Sequence, residues 1–261
     1  MTNLSNPPPY PASHNLLDGR KVIITAAAGT GIGFAAAKRC MEEGAEILMS
    51  DIHKARLEDA AQRLESELGQ KPATQLCNVT DQPQVGELFA AAATRLGGVD
   101  LVINNAGLGS TANLVDMTDD EWHQVLDVTL NGTFRMTRAA MQAMADTGGV
   151  IVNNASVMGW RAQIGQAHYA AAKAGVMALT RCAALEGAAN NIRVNAVAPS
   201  LAMHPFLEKV TSRELLDALV QQEAYGRAAE TWEVANVIVF LASDYSTYMT
   251  GETVSVSNQR A

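Results

Sequence analysis

The chain has 261 residues, 48% hydrophobic and 18% charged, with a formal net charge of −8. This composition supports a large buried core and excludes a disordered chain, and the acidic balance argues against general binding to nucleic acid or to an anionic membrane. Cys40, Cys77 and Cys182 form no CxxC pair, and an odd number of thiols leaves no complete disulfide framework, so a reducing, cytoplasmic setting is expected.

Residues 1–18 are polar and proline-rich, lack the apolar core of a signal peptide, and are expected to form a flexible tail. No uninterrupted apolar run approaches the length of a membrane span. From Lys21 the pattern alternates. "KVIITA" reads as a buried strand, a glycine loop follows, and "FAAAKRCMEEG" reads as a helix. "AEILMS" is a second strand ending at Asp51, and "KARLEDAAQRLESELG" an amphipathic helix. "ATQLCNV" and "DLVINNAG" are strands on either side of the helix "QVGELFAAAATRLG". Thr118 to Glu121, "TDDE", has the form of a capping box and opens a long helix to about Ala145. "GGVIVNNAS" and "NIRVNAVAPS" are strands around an alanine-rich helix, and two further helices precede a last strand, "ETVSVS". Apolar strands alternating with helices imply an α/β fold with a parallel sheet covered on both faces. No repeat or internal linker is seen, so residues 19–261 are expected to form one domain. An eight-fold β/α barrel needs more units than the chain supplies.

Three features carry chemistry. In "TAAAGTGIG", Gly29, Gly31 and Gly33 lie between the first strand and its helix. There a glycine-rich backbone approaches a pyrophosphate at a helix N-terminus. Asp51 ends the second strand about 20 residues on, where a carboxylate accepts from ribose hydroxyls and repels a 2′-phosphate. The loop holds no Arg or Lys, so NAD(H) is expected over NADP(H). In "HYAAAKAG", Tyr169 and Lys173 are four residues apart and share one helix face. An alcohol that loses hydride needs a base at its hydroxyl, and free tyrosine titrates near ~10. A nearby ammonium is expected to favour the phenolate. Ser156, beyond the fifth strand, would polarise the substrate oxygen.

These stretches, with "NNAG" at 104–107, Ser156 thirteen positions before Tyr169, "YAAAK" and "RVNAVAP", resemble the short-chain dehydrogenase/reductase family from about residue 19 to the C-terminus. The resemblance implies a doubly wound, single-domain Rossmann fold with seven parallel strands, a homotetramer, and hydride transfer between a nicotinamide and a carbinol or carbonyl carbon. It implies a cofactor site built from Thr25, Gly29, Thr30, Gly31, Ile32, Gly33, Asp51, Ile52, Asn78 and Val79. Asn105, Ala106 and Gly107 would join it on the ribose side, with Tyr169, Lys173, Pro199 and Leu201 toward the nicotinamide. No metal is expected.

Departures from the family pattern are visible. The asparagine that usually completes the catalytic set aligns with Thr129, not Asn131, so a relay water would have to rest on the Thr129 carbonyl. Ala26 takes the place of the first loop glycine, Asn78 that of an aspartate, and His204 that of a threonine. Between Ser156 and Tyr169, Trp160, Arg161 and His168 are expected to wall the substrate site, with Met203 and His204 above it. A flat or alicyclic substrate with an anionic part suits this set. "SVMGWRAQ", "HYAAAKAGVMALTRC" and "EAYGRAAE" resemble one bacterial subgroup, reductases of steroid C/D-ring breakdown that act on hydroxy-hydrindanone carboxyl-CoA thioesters. The alternatives are a 3-oxoacyl thioester reductase and, outside catalysis, an NAD-binding sensor or scaffold.

Overall fold

The computed structural model describes residues 4–205, 207 and 213–258. Residues 1–3 of the expected tail and 259–261 of the expected domain lie outside them. Seven strands form one parallel sheet: β1 (Lys21–Ile24), β2 (Glu46–Asp51), β3 (Ala73–Leu76), β4 (Leu101–Asn104), β5 (Gly149–Asn154), β6 (Ile192–Pro199) and, after a two-stranded ribbon of β7 (Ala202–Met203) and β8 (Ala229–Glu230), β9 (Thr253–Val256). Their order is β3-β2-β1-β4-β5-β6-β9. Every neighbouring pair is parallel. The order reverses between β1 and β4, which opens a crevice at the carboxyl ends of those strands.

Side chains alternate across the strands, so each strand feeds two cores. Val22 and Ile24 of β1 pack toward α1 (Ile32–Glu42), α2 (Lys54–Leu68) and α8 (Thr231–Ala242). Ile23, between them, packs toward α3 (Gln82–Arg95), α5 (Gly132–Ala143) and α6 (Ala167–Gly187). Covered on both faces, the strands need the continuous apolar runs seen in the sequence. A further helix, α7 (Arg213–Gln222), lies between β7 and β8.

The segment expected to be a flexible tail is anchored along part of its length. Leu17 is fully buried. The buried Glu43 carboxylate accepts the backbone N–H groups of His14 and Leu16 and pairs with Arg39. Tyr10 donates to Glu42 at 2.7 Å and meets Trp232 edge-on, ring centroids 5.3 Å apart. Polar composition hid this, because the acceptor of its backbone N–H groups, Glu43, caps the end of α1 rather than lying within the segment.

The long helix opened by Thr118 has the predicted capping box at the start of α4 (Asp119–Leu126). It is interrupted by a π-helical segment, Asp127–Asn131, before α5 begins. Thr129, at the centre of that segment, is fully buried.

Candidate active site

The glycine loop fills the crevice above β1. Ala26 adopts a left-handed φ of 49° and Gly29 one of 101°, the region that favours residues without a Cβ. Gly33 is required by packing: a Cβ there would lie 2.2 Å from the Ala26 carbonyl oxygen and 2.5 Å from Asn105 Nδ2. Helix α1 starts at Ile32, and its N-cap, Gly31, offers no side-chain cap. The first-turn amides beside Thr30 and Ile32 are therefore not capped from that position, as an anion site requires. This cradle fits a dinucleotide pyrophosphate.

Asp51 closes the loop from β2. Its Oδ2 accepts the Ala28 N–H at 3.3 Å and its Oδ1 the His53 N–H at 3.0 Å. Burial pushes the carboxyl up, while the Ala28 amide, the Arg56 charge and the Ile52 amide pull it down. Ile52 is exposed beside it. Although the loop lacks basic residues, α2 brings Arg63 to it. The guanidinium donates to the Gly29 carbonyl at 3.3 Å and covers the Phe34 ring at 4.3 Å. Asn78 Oδ1 accepts the Thr80 N–H at 3.1 Å, and Val79 packs on Gly132. Pro199 ends β6 beside Val256, and Leu201 follows, partly buried.

A hydrogen-bonded chain joins this loop to the catalytic helix. Thr25 Oγ1 accepts the N–H groups of Asn105 and Ala106, each at 3.0 Å. Asn105 Nδ2 donates to the Ala26 carbonyl at 3.1 Å, and its Oδ1 accepts from Asn154 Nδ2 at 2.9 Å. The Asn154 carbonyl accepts from Lys173 Nζ at 2.6 Å. Asn105 carries a motif in the sequence, whereas Asn154 has no signal there beyond its place at the end of β5.

Ser156 follows β5, almost fully buried, and its Oγ accepts the Met158 N–H at 3.2 Å. Tyr169 and Lys173 lie one turn apart on α6, with the ammonium 5.5 Å from the phenol ring centroid. The Ser156 hydroxyl is also close enough to the Tyr169 phenol to pull its pKa down. Two glycines after β4 cover the pair. A Cβ on Gly107 would reach Lys173 Nζ at 3.4 Å, and one on Gly109 would reach the Tyr169 ring at 3.3 Å.

The electrostatics correct one expectation. Burial pushes the Tyr169 phenol up, and only the Ser156 hydroxyl opposes it. Lys173 Nζ donates to the Asn154 carbonyl, and its charge does not pull the phenol down.

Lys173 itself is 3% exposed, and burial pulls its ammonium from 10.5 down to about 8. A base with a depressed folded-state pKa costs stability while both states are protonated, below about pH 8. That cost fades as pH rises from about 8 to 10.5. The shift corresponds to roughly 3 kcal/mol. Relative to Lys173→Met, the cofactor-free protein is expected to gain stability between pH 7.5 and pH 10, read by denaturant titration at both pH values. A constant difference would remove the buried charge from the account.

Thr129 takes a defined place behind the pair. Its hydroxyl accepts the Leu108 N–H and donates to the Leu108 carbonyl, both at 3.0 Å. Its own carbonyl already accepts from Thr133 Oγ1 at 2.8 Å. Thr129 thus secures the residues after β4 to the π segment. Asn131 is exposed and donates to Asp127 instead.

The expected substrate wall divides. Trp160 is 53% exposed, and Arg161 and Met203 are half-buried. His168 is fully buried, beneath the start of α6 and not on an open wall. His204 stands over the glycine loop: its Nε2 would be 3.9 Å from a Cβ on Gly31. Among the described residues no group of three or more His, Cys, Asp or Glu side chains could hold a metal, and no helix is long and apolar enough to cross a membrane.

A family model described as enoyl-(acyl carrier protein) reductase matches residues 26–258. The chain is 57% identical over 260 residues to a Mycobacterium tuberculosis protein, (5R,7aS)-5-hydroxy-7a-methyl-1-oxo-2,3,5,6,7,7a-hexahydro-1H-indene-carboxyl-CoA reductase, covering 98% of this chain and 99% of that one. It is 39% identical over 241 residues to a 3-oxoacyl-[acyl-carrier-protein] reductase of Thermotoga maritima, covering 92% and 97%. A solved short chain dehydrogenase from Mycobacterium smegmatis superposes with a TM-score of 0.88 at 50% identity, covering 99% of this chain and 100% of that one.

Proposed function

From a chain that belongs to the short-chain dehydrogenase/reductase family, and is an oxidoreductase using a nicotinamide cofactor, we infer an NAD(H)-dependent interconversion of a secondary alcohol and a ketone on a steroid-derived bicyclic carboxyl-CoA thioester. The observation that carries the chemistry is the grouping of buried Ser156 with Tyr169 and, one turn away, Lys173, beneath Gly107 and Gly109. The relative of 57% identity, named for such a thioester, supports the substrate class.

The loop, Asp51 and the Asn105 segment would hold the nicotinamide cofactor, which when bound would supply or accept the hydride. The rest falls to the chain. Ser156 bonds the substrate oxygen and polarises it. Tyr169 moves the proton at that oxygen, taking it from the alcohol or giving it to the ketone. Lys173, fixed by Asn154 one turn from the phenol, would bond the nicotinamide ribose. Thr129 serves as a positioning residue through Leu108. Trp160 and Arg161 suit a flat substrate with an anionic part. The working form is taken as a cytoplasmic homotetramer, a reading supported by membership of the family alone.

An NADH-linked assay tests this across three classes: the hexahydroindene carboxyl-CoA thioester, 3-oxoacyl thioesters and simple cyclic ketones. Turnover is expected to be fastest on the first. Preference for 3-oxoacyl thioesters would favour the second reading, supported by the Thermotoga maritima relative. No signal on any would return the chain to a binding role.

NAD(H) is expected to bind at least about tenfold more tightly than NADP(H), because Asp51 would face a 2′-phosphate at the cost of ~1.4 kcal/mol or more. Arg63, one cation at the loop, is already engaged by Gly29 and Phe34, and Arg56 lies by the Asp51 charge. Calorimetric titration of both cofactors decides it, and tighter NADP(H) binding would overturn the role given to Asp51.

A further inference from the structure

His168 sits immediately before Tyr169, in the first turn of α6, with none of its surface exposed. Its Nδ1 accepts the Tyr169 backbone N–H at 2.9 Å. A neutral imidazole that accepts at one nitrogen carries its proton on the other. Nε2 is therefore the donor, and it lies 2.7 Å from Ser110 Oγ. The backbone of α6 thus fixes the direction of the His168–Ser110 bond.

Ser110 is exposed, unlike its partner. It follows Gly109, which faces the Tyr169 ring. The segment is tied down on both sides. Gln166 Nε2 donates to the Ser110 carbonyl at 2.9 Å and to Thr111 Oγ1 at 3.0 Å, and the Ala112 N–H donates to the Gly165 carbonyl at 3.1 Å. With a lone pair occupied by His168, the Ser110 hydroxyl keeps its own proton for a second partner. Among the described residues, His168 is the one hydrogen-bond partner of Ser110 Oγ.

We propose that Ser110 is a substrate-binding donor, aimed by His168, for a carbonyl oxygen of the substrate other than the one that reacts. His168 is its positioning residue: it touches no substrate and acts by holding the serine oxygen as an acceptor. The inference rests on the oxidoreductase reading and narrows the substrate to one with a second carbonyl within reach of the carbinol carbon.

The test compares Ser110→Ala, Ser110→Thr, His168→Leu and the double variant. Probes are the hexahydroindene carboxyl-CoA thioester, which has further carbonyl groups, and cyclohexanone, which has none. Ser110→Ala is expected to raise KM for the thioester about tenfold, with kcat within about twofold, as expected for loss of uniform binding. Cyclohexanone kinetics and NADH affinity are expected to stay unchanged, and Ser110→Thr to restore the thioester KM. The double variant is expected to be no worse in KM than the worse single variant, because the two side chains act as a unit. Equal losses on both probes, an unchanged thioester KM in Ser110→Ala, or additive effects would overturn the proposal. Wild-type inactivity on the indene thioester would overturn the substrate reading alone. The same comparison then runs with acetoacetyl-CoA, which also carries a second carbonyl, and the same outcomes decide.

Discussion

Tyr169→Phe is expected to lower turnover by about 10³-fold, within the range lost with a positioned acid or base, while NAD(H) binding persists. The change removes one oxygen. The ring stays packed beneath Gly109, and Ser156 Oγ keeps the Met158 N–H as its donor. The glycine loop and Asp51 are untouched. NADH fluorescence titration on the variant separates lost chemistry from lost binding. Turnover near wild type would sink the assignment of Tyr169 as the proton-transfer group. The electrostatics add a direction. Because burial raises the phenol, Tyr169 is protonated at neutral pH, the form that gives a proton to a ketone. Alcohol oxidation needs the phenolate and should quicken as pH rises.

The second large effect belongs to the cofactor loop. Gly33→Ala places a methyl 2.2 Å from the Ala26 carbonyl oxygen and 2.5 Å from Asn105 Nδ2. Neither is the free end of a flexible chain. One is backbone in an already left-handed residue, and the other is bonded to that same carbonyl. Relief must separate α1 from β1 or break the link from the loop toward Asn154. Overpacking of this kind costs about 1–3 kcal/mol or more, and a fall in Tm of roughly 5–10 °C is expected for a domain of this size. NAD(H) affinity should fall at the same time, because the uncapped end of α1 moves with it. Gly86→Ala is the control. Gly86 lies in α3, exposed, with nothing within 4 Å of a Cβ, so removal of a helix-interior glycine is expected to stabilise by about 0.5–1 kcal/mol. Equal Tm values for Gly33→Ala and wild type would show that the loop yields where it is drawn tight.

The strands were readable because a sheet buried on both faces leaves continuous apolar runs, as in "KVII" and "LVIN". Glycine placement and the acidic end of β2 marked the cofactor crevice for a similar reason: the geometry tolerates few residues there. What stayed hidden was partnership among polar groups. Asn154 looks like any strand-end asparagine until Lys173 is seen to end on its carbonyl. His168 looked like a pocket residue because it adjoins Tyr169, yet successive helix positions point about 100° apart, and this one points into the interior. His204, expected above the substrate site, is carried by the end of β7 over Gly31 of the glycine loop. The proline-rich segment before Lys21 gave no periodic signal, since its anchor is a carboxylate on another element. Periodicity reports burial, and these features depend on pairings between distant positions.

The π segment at Asp127–Asn131 sets the rotational phase of two helices. An α-helix turns about 100° per residue, and a π-bulge interposes extra chain without breaking the column. The buried face of α4 and that of α5 therefore cannot be drawn as one continuous stripe. Deleting a single residue to straighten the column would improve its backbone bonding and rotate everything on one side of the cut by about a quarter turn. Either the capped α4 leaves its seat, or Thr129 swings its hydroxyl away from Leu108 and frees the strand end that carries Gly107 and Gly109. The irregular turn acts as a phase shifter between two packing helices, and its own centre, Thr129, reaches the chain that covers the catalytic pair.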